Sequence, residues 1–335
     1  MRMPREGVYS VALAMLLAVI FSSMAQCGSL YTVRRVVALE SGALRAAAQP
    51  VFGWGGYISS IEQVEPILDD LELGGYTGLR YWAVPSWYAK SPGHNLNLTI
   101  LDALVDGAAA RNIVVYIDCE HNYPPSAYLD GHEKQWIADL TMVGTRYKDK
   151  TNVVLECVNE YTGSGQPAKY NRAISALRKA GVHLPLLFNF GWNQVNVALK
   201  DPDNNYAIGR HFYGTSLDNY NPQTPVSLAT VVDAAGIDDM MYKYFYSPTE
   251  KYYLQSALKL RIPNGFVVTE MGPTSTESLV GNPSVGSLAY AMQFLREGVN
   301  NKVTVLCYRV GDYSKKETYE KKALQYFGEP FFPGG

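Results

Sequence analysis

Apolar runs and amphipathic stretches alternate along the chain from residue 51 to residue 327. Eight runs read as strands: Val51–Tyr57, Gly78–Val84, Ile113–Cys119, Asn152–Glu160, Leu184–Phe190, Ala207–Tyr213, Phe266–Glu270 and Val303–Tyr308. Most hold consecutive apolar residues, the pattern of parallel strands buried on both faces. Helical patterns lie between them at Ser59–Leu73, Thr99–Ala110, Glu133–Tyr147, Pro167–Ala180, Tyr252–Leu260, Gly286–Val299 and Glu317–Phe327. Ser60 ahead of Glu62 and Glu65, and Thr99 ahead of Asp102, read as helix starts; Gly74 and Arg111 read as stops. Asp218–Glu250 is less regular and predicts no single helix. The alternation predicts an α/β fold, a single (β/α)8 TIM barrel. An open doubly wound sheet is the rival. It wants a glycine-rich phosphate turn after its first strand. Gly53-Trp54-Gly55-Gly56 lacks the G-x-G-x-x-G form, and no P-loop sequence occurs.

The chain ahead of this pattern reads as an address. Arg2 and Arg5 precede an apolar run from Val8 to Ile20, and Ser23-Met24-Ala25 offers small residues for a signal peptidase. Residues 1–25 are therefore expected to be a signal peptide, residues 26–49 a linker and residues 50–335 the barrel. An uncleaved signal anchor is the alternative, because Val8–Ala25 is nearly long enough to span a bilayer. Gln26 is a poor residue before a lipidated Cys27. The expectation is a secreted protein, or one anchored with its barrel outside the cell.

Composition narrows the function classes. Of 335 residues, 47% are hydrophobic and 18% charged, which excludes a disordered chain. With 29 basic and 31 acidic residues there is no positive field to hold nucleic acid. Cys27, Cys119, Cys157 and Cys307 match no zinc motif, and the strand positions of the last three argue for buried thiols over a disulfide framework. Asn97-Leu98-Thr99 is a glycosylation sequon, relevant only in a eukaryotic host. The 25 tyrosines suit surfaces that stack on sugars, or are simply a compositional habit.

Chemistry in such a barrel sits at the C-terminal ends of the strands, and polar residues collect there. Arg80 and Trp82 close the second strand, and Glu120-His121-Asn122 follow the third. Asn159-Glu160 end the fourth, Asn189 and Trp192 lie at the fifth, and His211 and Tyr213 end the sixth. Glu270 ends the seventh, and Tyr308-Arg309 the eighth. Glu160 and Glu270 therefore face one another across the mouth. A retaining glycosidase needs two carboxyl groups about 5–5.5 Å apart, one acid and one nucleophile. Arg80 is the evident group to keep the nucleophile ionised, and Asn159 could bond a sugar 2-hydroxyl. The plain alternative is that both are ordinary strand-end acids. Glu156, four residues before Glu160, reads as a structural carboxylate pointing into the barrel beside a basic or polar neighbour.

These residues resemble glycoside hydrolase family 5. Trp136–Tyr161 is similar to the family's aromatic-led helix and the strand closing on Asn-Glu. Gly265–Gly272, GFVVTEMG, resembles its strand-seven nucleophile segment. Arg210–Gly214 carries its H-x-Y pattern, GLRYW its strand-two arginine and IDCEH the histidine after strand three. The resemblance spans most of residues 50–328. It implies that Glu160 is the acid/base and Glu270 the nucleophile. It implies a supporting shell of Arg80, His121, Asn159, His211 and Tyr213. Two positions depart: Tyr161 stands where the family usually has proline, and Tyr308 where it usually has a tryptophan platform. Trp54, Trp82, Trp87 and Trp192 are further platform candidates, or rim packing.

The expected protein is a secreted, monomeric retaining hydrolase of β-linked polysaccharide or oligosaccharide, with no metal or organic cofactor. Short loops favour internal cleavage, so endo-β-1,4-glucanase comes first and mannanase second. Other family β-glucanases and exo-acting enzymes follow. A glycan-binding barrel without turnover and a transglycosylase are the remaining alternatives.

Overall fold

Short runs of Val, Leu, Ile and Phe form strands that are covered on both sides. The computed structural model describes residues 47–50, 58, 60–73, 78–83, 96–119, 129–161, 163–190, 197–213, 226–247, 254, 259–263, 265–272, 284–300, 304–311 and 321–331. Side chains at 47–50, 70, 82, 213, 270–272, 299 and 304–311 lie outside that description.

The strands are β1 (Ala47–Pro50), β2 (Gly78–Trp82), β3 (Val114–Asp118), β4 (Val153–Tyr161), β5 (Leu186–Phe190), β6 (Tyr206–Tyr213), β7 (Phe266–Gly272) and β8 (Thr304–Gly311). Every pairing is parallel, in chain order, and β8 returns to pair with β1 through Ala47↔Leu306 and Ala48↔Cys307, closing the ring. Seven strands fall where the apolar runs predict them. The first run, Val51–Tyr57, lies outside the described residues; the described strand β1 comes just before it and overlaps the stretch expected to be linker. Alanine-rich sequence carries no strand signal of its own; pairing with β2 and β8 imposes the extended backbone.

The helices are α1 (Val64–Leu73), entered through a 3₁₀ turn at Ile61–Gln63, α2 (Leu98–Ala110), α3 (Leu129–Tyr147), α4 (Gln166–Lys179), α5 (Leu228–Ala234), α6 (Ile237–Met241), α7 (Val285–Asn300) and α8 (321–327). At the first turn the Gln63 side chain accepts from the Ser60 N–H at 3.2 Å, as the start signal anticipates. The cap of α2 is Asn97, not Thr99: its side chain accepts from the N–H groups of Thr99 at 3.0 Å and Ile100 at 3.3 Å. Asparagine two residues earlier reaches the orphan donors first. The regular part of α3 begins after a kink at His132 (φ −131°, ψ 20°), where the sequence pattern starts. The irregular segment after β6 becomes α5, α6 and a π-helical turn at Tyr242–Tyr246.

Two apolar layers result. Val114, Tyr116, Val154, Leu187, Ala207 and Val267 fill the inside of the strand ring. A larger layer between strands and helices includes Leu68, Leu104, Trp136, Leu155, Tyr170, Phe188 and Phe294. Helices α1 and α2 touch so closely that a Cβ on Gly107 would lie 2.5 Å from Leu68 Cδ1. Arg111, closing α2, ties the pair together through Glu65 at 2.7 Å and Asp69 at 2.5 Å on α1. Cys119 and Cys157 are buried free thiols, with burial raising the pKa of both. Among the described residues, no helix is long and apolar enough to cross a membrane, and no cluster of His, Cys, Asp and Glu could hold a metal ion. Residues 1–25 lie outside the described residues.

Candidate active site

Irregularities in two strands build the site. From Glu156 to Tyr161, β4 advances five residues while β5 advances three, from Leu187 to Phe190. From Val268 to Glu270, β7 advances two while β6 advances one, from Arg210 to His211. The extra residues are bulges, which re-aim side chains that strict alternation would send elsewhere. Alternation from Glu156 would send Val158 inward and Asn159 outward. Instead Val158 joins the layer beneath the helices, and Asn159 Oδ1 accepts from Arg80 Nη2 at 2.7 Å. Each strand that carries an expected catalytic glutamate is thus bulged beside it.

Below Glu160 lies a sealed ionic cluster. Arg80 is fully buried and reaches Glu156 through Nε at 2.5 Å and Nη2 at 2.8 Å, and Asp118 through Nη2 at 2.9 Å. Glu156 is therefore the structural carboxylate its position suggests. Two buried carboxylates share one described guanidinium. Burial pushes Glu156 up to about 7, Asp118 adds to that push, and Arg80 opposes it.

Glu160 tops the cluster with its backbone in the left-handed region, φ 41°. That conformation costs a non-glycine residue about 1–2 kcal/mol. The next residue holds it in place. Tyr161 is fully buried, donates its hydroxyl to Asp130 and accepts from Lys169, while Gln166 Nε2 donates to the Tyr161 carbonyl. Lys169 also pairs with Asp130 and donates to the Ser164 carbonyl at 3.0 Å. The Lys169 ammonium, then the Tyr161 hydroxyl, hold the Asp130 carboxyl below the usual range. Gly163 leaves room for the ring: a Cβ there would lie 2.2 Å from the Tyr161 hydroxyl oxygen.

His211 links the halves of the site. Its Nδ1 lies 2.6 Å from Glu160 Oε1, and its backbone pairs in register with Glu270 on β7. Asn189 Nδ2 meets His211 Nε2 at 2.8 Å and Thr269 Oγ1 at 3.2 Å.

The described residues thus bring together Glu160, Asn159, Arg80 and His211. Glu270, Tyr213, Trp82 and Tyr308 have their backbones in β7, β6, β2 and β8, with side chains outside the described residues. The expectation that Arg80 steadies Glu270 falls there too; the described partners of Arg80 are Asp118, Glu156 and Asn159. Trp54, Trp87, His121 and Trp192 lie outside the described residues. Asp118 and Thr269 were not expected as site residues, and Asn189 was counted among the strand-end polar residues without a role. A polar residue within LLFNF was the available signal for Asn189.

The profile of the cellulase family (glycosyl hydrolase family 5) matches residues 66–313. No curated protein matches the chain. Among solved structures, the catalytic domain of the major endoglucanase of Xanthomonas campestris pv. campestris is similar at 15% identity and TM-score 0.57, over 80% of this chain and 86% of that one. An endoglucanase of Pseudomonas stutzeri is similar at 14% identity and TM-score 0.54, over 79% and 85%. A family 5 lichenase of Caldicellulosiruptor sp. F32 is similar at 15% identity and TM-score 0.52, over 82% and 85%. At these identities the likeness concerns the fold. The family profile covers most of the chain and includes both bulged strands, and the chain belongs to the cellulase family, glycosyl hydrolase family 5.

Proposed function

We propose that this family 5 glycoside hydrolase is a complete (β/α)8 TIM barrel that cleaves internal bonds of a β-linked glucan with retention, β-1,4-glucan first. One observation carries the reading: His211 contacts Glu160 by its side chain and stands in register with Glu270 by its backbone. The two carboxylate positions are therefore neighbours at one end of the strand ring. Glu160 donates a proton to the leaving oxygen while Glu270 attacks the anomeric carbon. Glu160 then takes a proton from the water that hydrolyses the glycosyl-enzyme. Arg80 occupies Asn159 Oδ1, so the amide NH₂ is the end Asn159 can offer a sugar hydroxyl. Tyr213, Tyr308, His121 and the tryptophans Trp54, Trp82 and Trp192 are assigned to sugar contacts by the family resemblance. The endoglucanase and lichenase folds nearby favour a glucan over mannan. The enzyme is further proposed to be monomeric and exported by residues 1–25, with anchoring as the alternative.

Leaderless protein and its Glu270→Gln variant, incubated with β-1,4-glucan, mixed-linkage glucan, mannan and xylan, test the reading. New reducing ends on one glucan, at least a thousandfold fewer in the variant, are expected. NMR of the first-formed product must show the β-anomer. Near-normal turnover by Glu270→Gln, or an α-anomer product, overturns the mechanism. Intact binding with no cleavage would favour the non-catalytic glycan-binding barrel.

A further inference from the structure

Asn189 makes no part of the chemistry above, yet it is buried to 1% exposure at the end of β5 and touches His211, which contacts Glu160. Its Nδ2 faces both His211 Nε2 at 2.8 Å and Thr269 Oγ1 at 3.2 Å. An amide nitrogen can only donate. The Thr269 hydroxyl donates onward to the Arg210 carbonyl at 3.5 Å, so toward Asn189 it accepts. That sets which end of the amide points at the histidine. His211 Nε2 must then be the acceptor, and a neutral imidazole accepting at Nε2 carries its proton on Nδ1. That proton faces Glu160 Oε1 at 2.6 Å.

We propose that Asn189 is a positioning residue: it holds His211 as the neutral Nδ1–H tautomer, which in turn confines the transferable proton of Glu160 to Oε2. The inference rests on reading Glu160 as the acid/base. In the opposite tautomer a bare Nδ1 would stand 2.6 Å from the carboxyl and draw off the proton meant for the leaving group. The imidazolium is disfavoured as well, because its Nε2–H would point at an amide N–H. The described charged groups nearest the pair are Arg80 on β2, Asp118 on β3, Glu156 on β4 and Arg210 on β6, and all are common to wild type and a variant at 189.

The direct test is ¹⁵N NMR of leaderless protein labelled at its histidine rings, with His211→Gln used to assign the His211 signals. The expected wild-type pattern is a protonated Nδ1 and an unprotonated Nε2. Asn189→Asp replaces the donor by an acceptor and is expected to protonate Nε2. It should lower kcat at least tenfold with KM within about twofold, and move the basic limb of the kcat profile. An unprotonated Nδ1 in wild type, or an unchanged His211 pattern in Asn189→Asp, overturns the proposal. If Asn189→Asp does not fold, the wild-type spectrum still decides. Aryl β-glucosides separate the two readings. If Glu160 is the acid, Glu160→Gln loses little kcat/KM on dinitrophenyl leaving groups and much on poor ones. A uniform response would sink the acid/base reading while leaving the tautomer result intact.

Discussion

Arg80 and Glu156 meet at two points, 2.5 Å from Nε and 2.8 Å from Nη2, with both side chains sealed from water on the inside of the strand ring. The pair shares its guanidinium with Asp118, so the cluster holds one more carboxylate than described cations.

The excess makes stability depend on pH. Burial raises Glu156 from 4.5 to about 7 in the fold. Between those values the folded state binds more protons at this group than the unfolded chain, so the Glu156 contribution is fully present below about 4.5 and is lost as pH rises through about 7. The effect is on the order of a few kcal/mol. Urea unfolding at pH 5 and pH 7.5 is expected to show wild type losing stability relative to Glu156→Gln. Parallel pH trends in the two proteins would refute the assignment. Asp102, Asp130, Glu133 and Asp201 are held low and act in the opposite sense in a more acidic window.

Arg80→Lys leaves Glu156, Asp118 and Asn159 with a point charge where a planar fork served all three. A loss of about 1–3 kcal/mol is expected, the cost of buried acceptors that the ammonium cannot all reach. Chemical denaturation at pH 7 measures it. A loss below about 1 kcal/mol would mean the cluster is less dry than its burial implies.

Tyr161 stands directly after the left-handed Glu160, and its hydroxyl anchors it to Asp130 and Lys169. Tyr161→Phe keeps the ring and is expected to cost about 1–2 kcal/mol. Gly163→Ala drives a methyl group into the ring and should displace it outright. Glycoside turnover is expected to fall further in Gly163→Ala than in Tyr161→Phe. Equal activity of Gly163→Ala and wild type would show that Glu160 keeps its backbone without this prop.

Trp136 Nε1 donates to the Cys157 carbonyl at 2.7 Å, tying α3 to β4 where β4 bulges. Trp136→Phe removes the donor and leaves a buried carbonyl unsatisfied, so about 1–3 kcal/mol is expected to go. Thermal unfolding reads that loss. At temperatures where both proteins are folded, turnover should be little changed.

The order of elements was legible because parallel strands in such a sheet are apolar on both faces. LLFNF and FVVTEMG announce themselves without tertiary help. Glu160, Asn159, Arg80 and His211 were legible because polar residues at the ends of apolar strands have few other uses. The position of β1 was not, since Ala47–Pro50 has no strand preference and is extended only between its two neighbours. Nor were the inward turn of Asn159, the strained backbone of Glu160 or the link from Asn189 to His211. These depend on bulges and on contacts between strands far apart in sequence. Period-two alternation is a local property of one strand. Where an extra residue enters β4 or β7, the neighbouring strands decide which side chains face the axis, and so which groups meet.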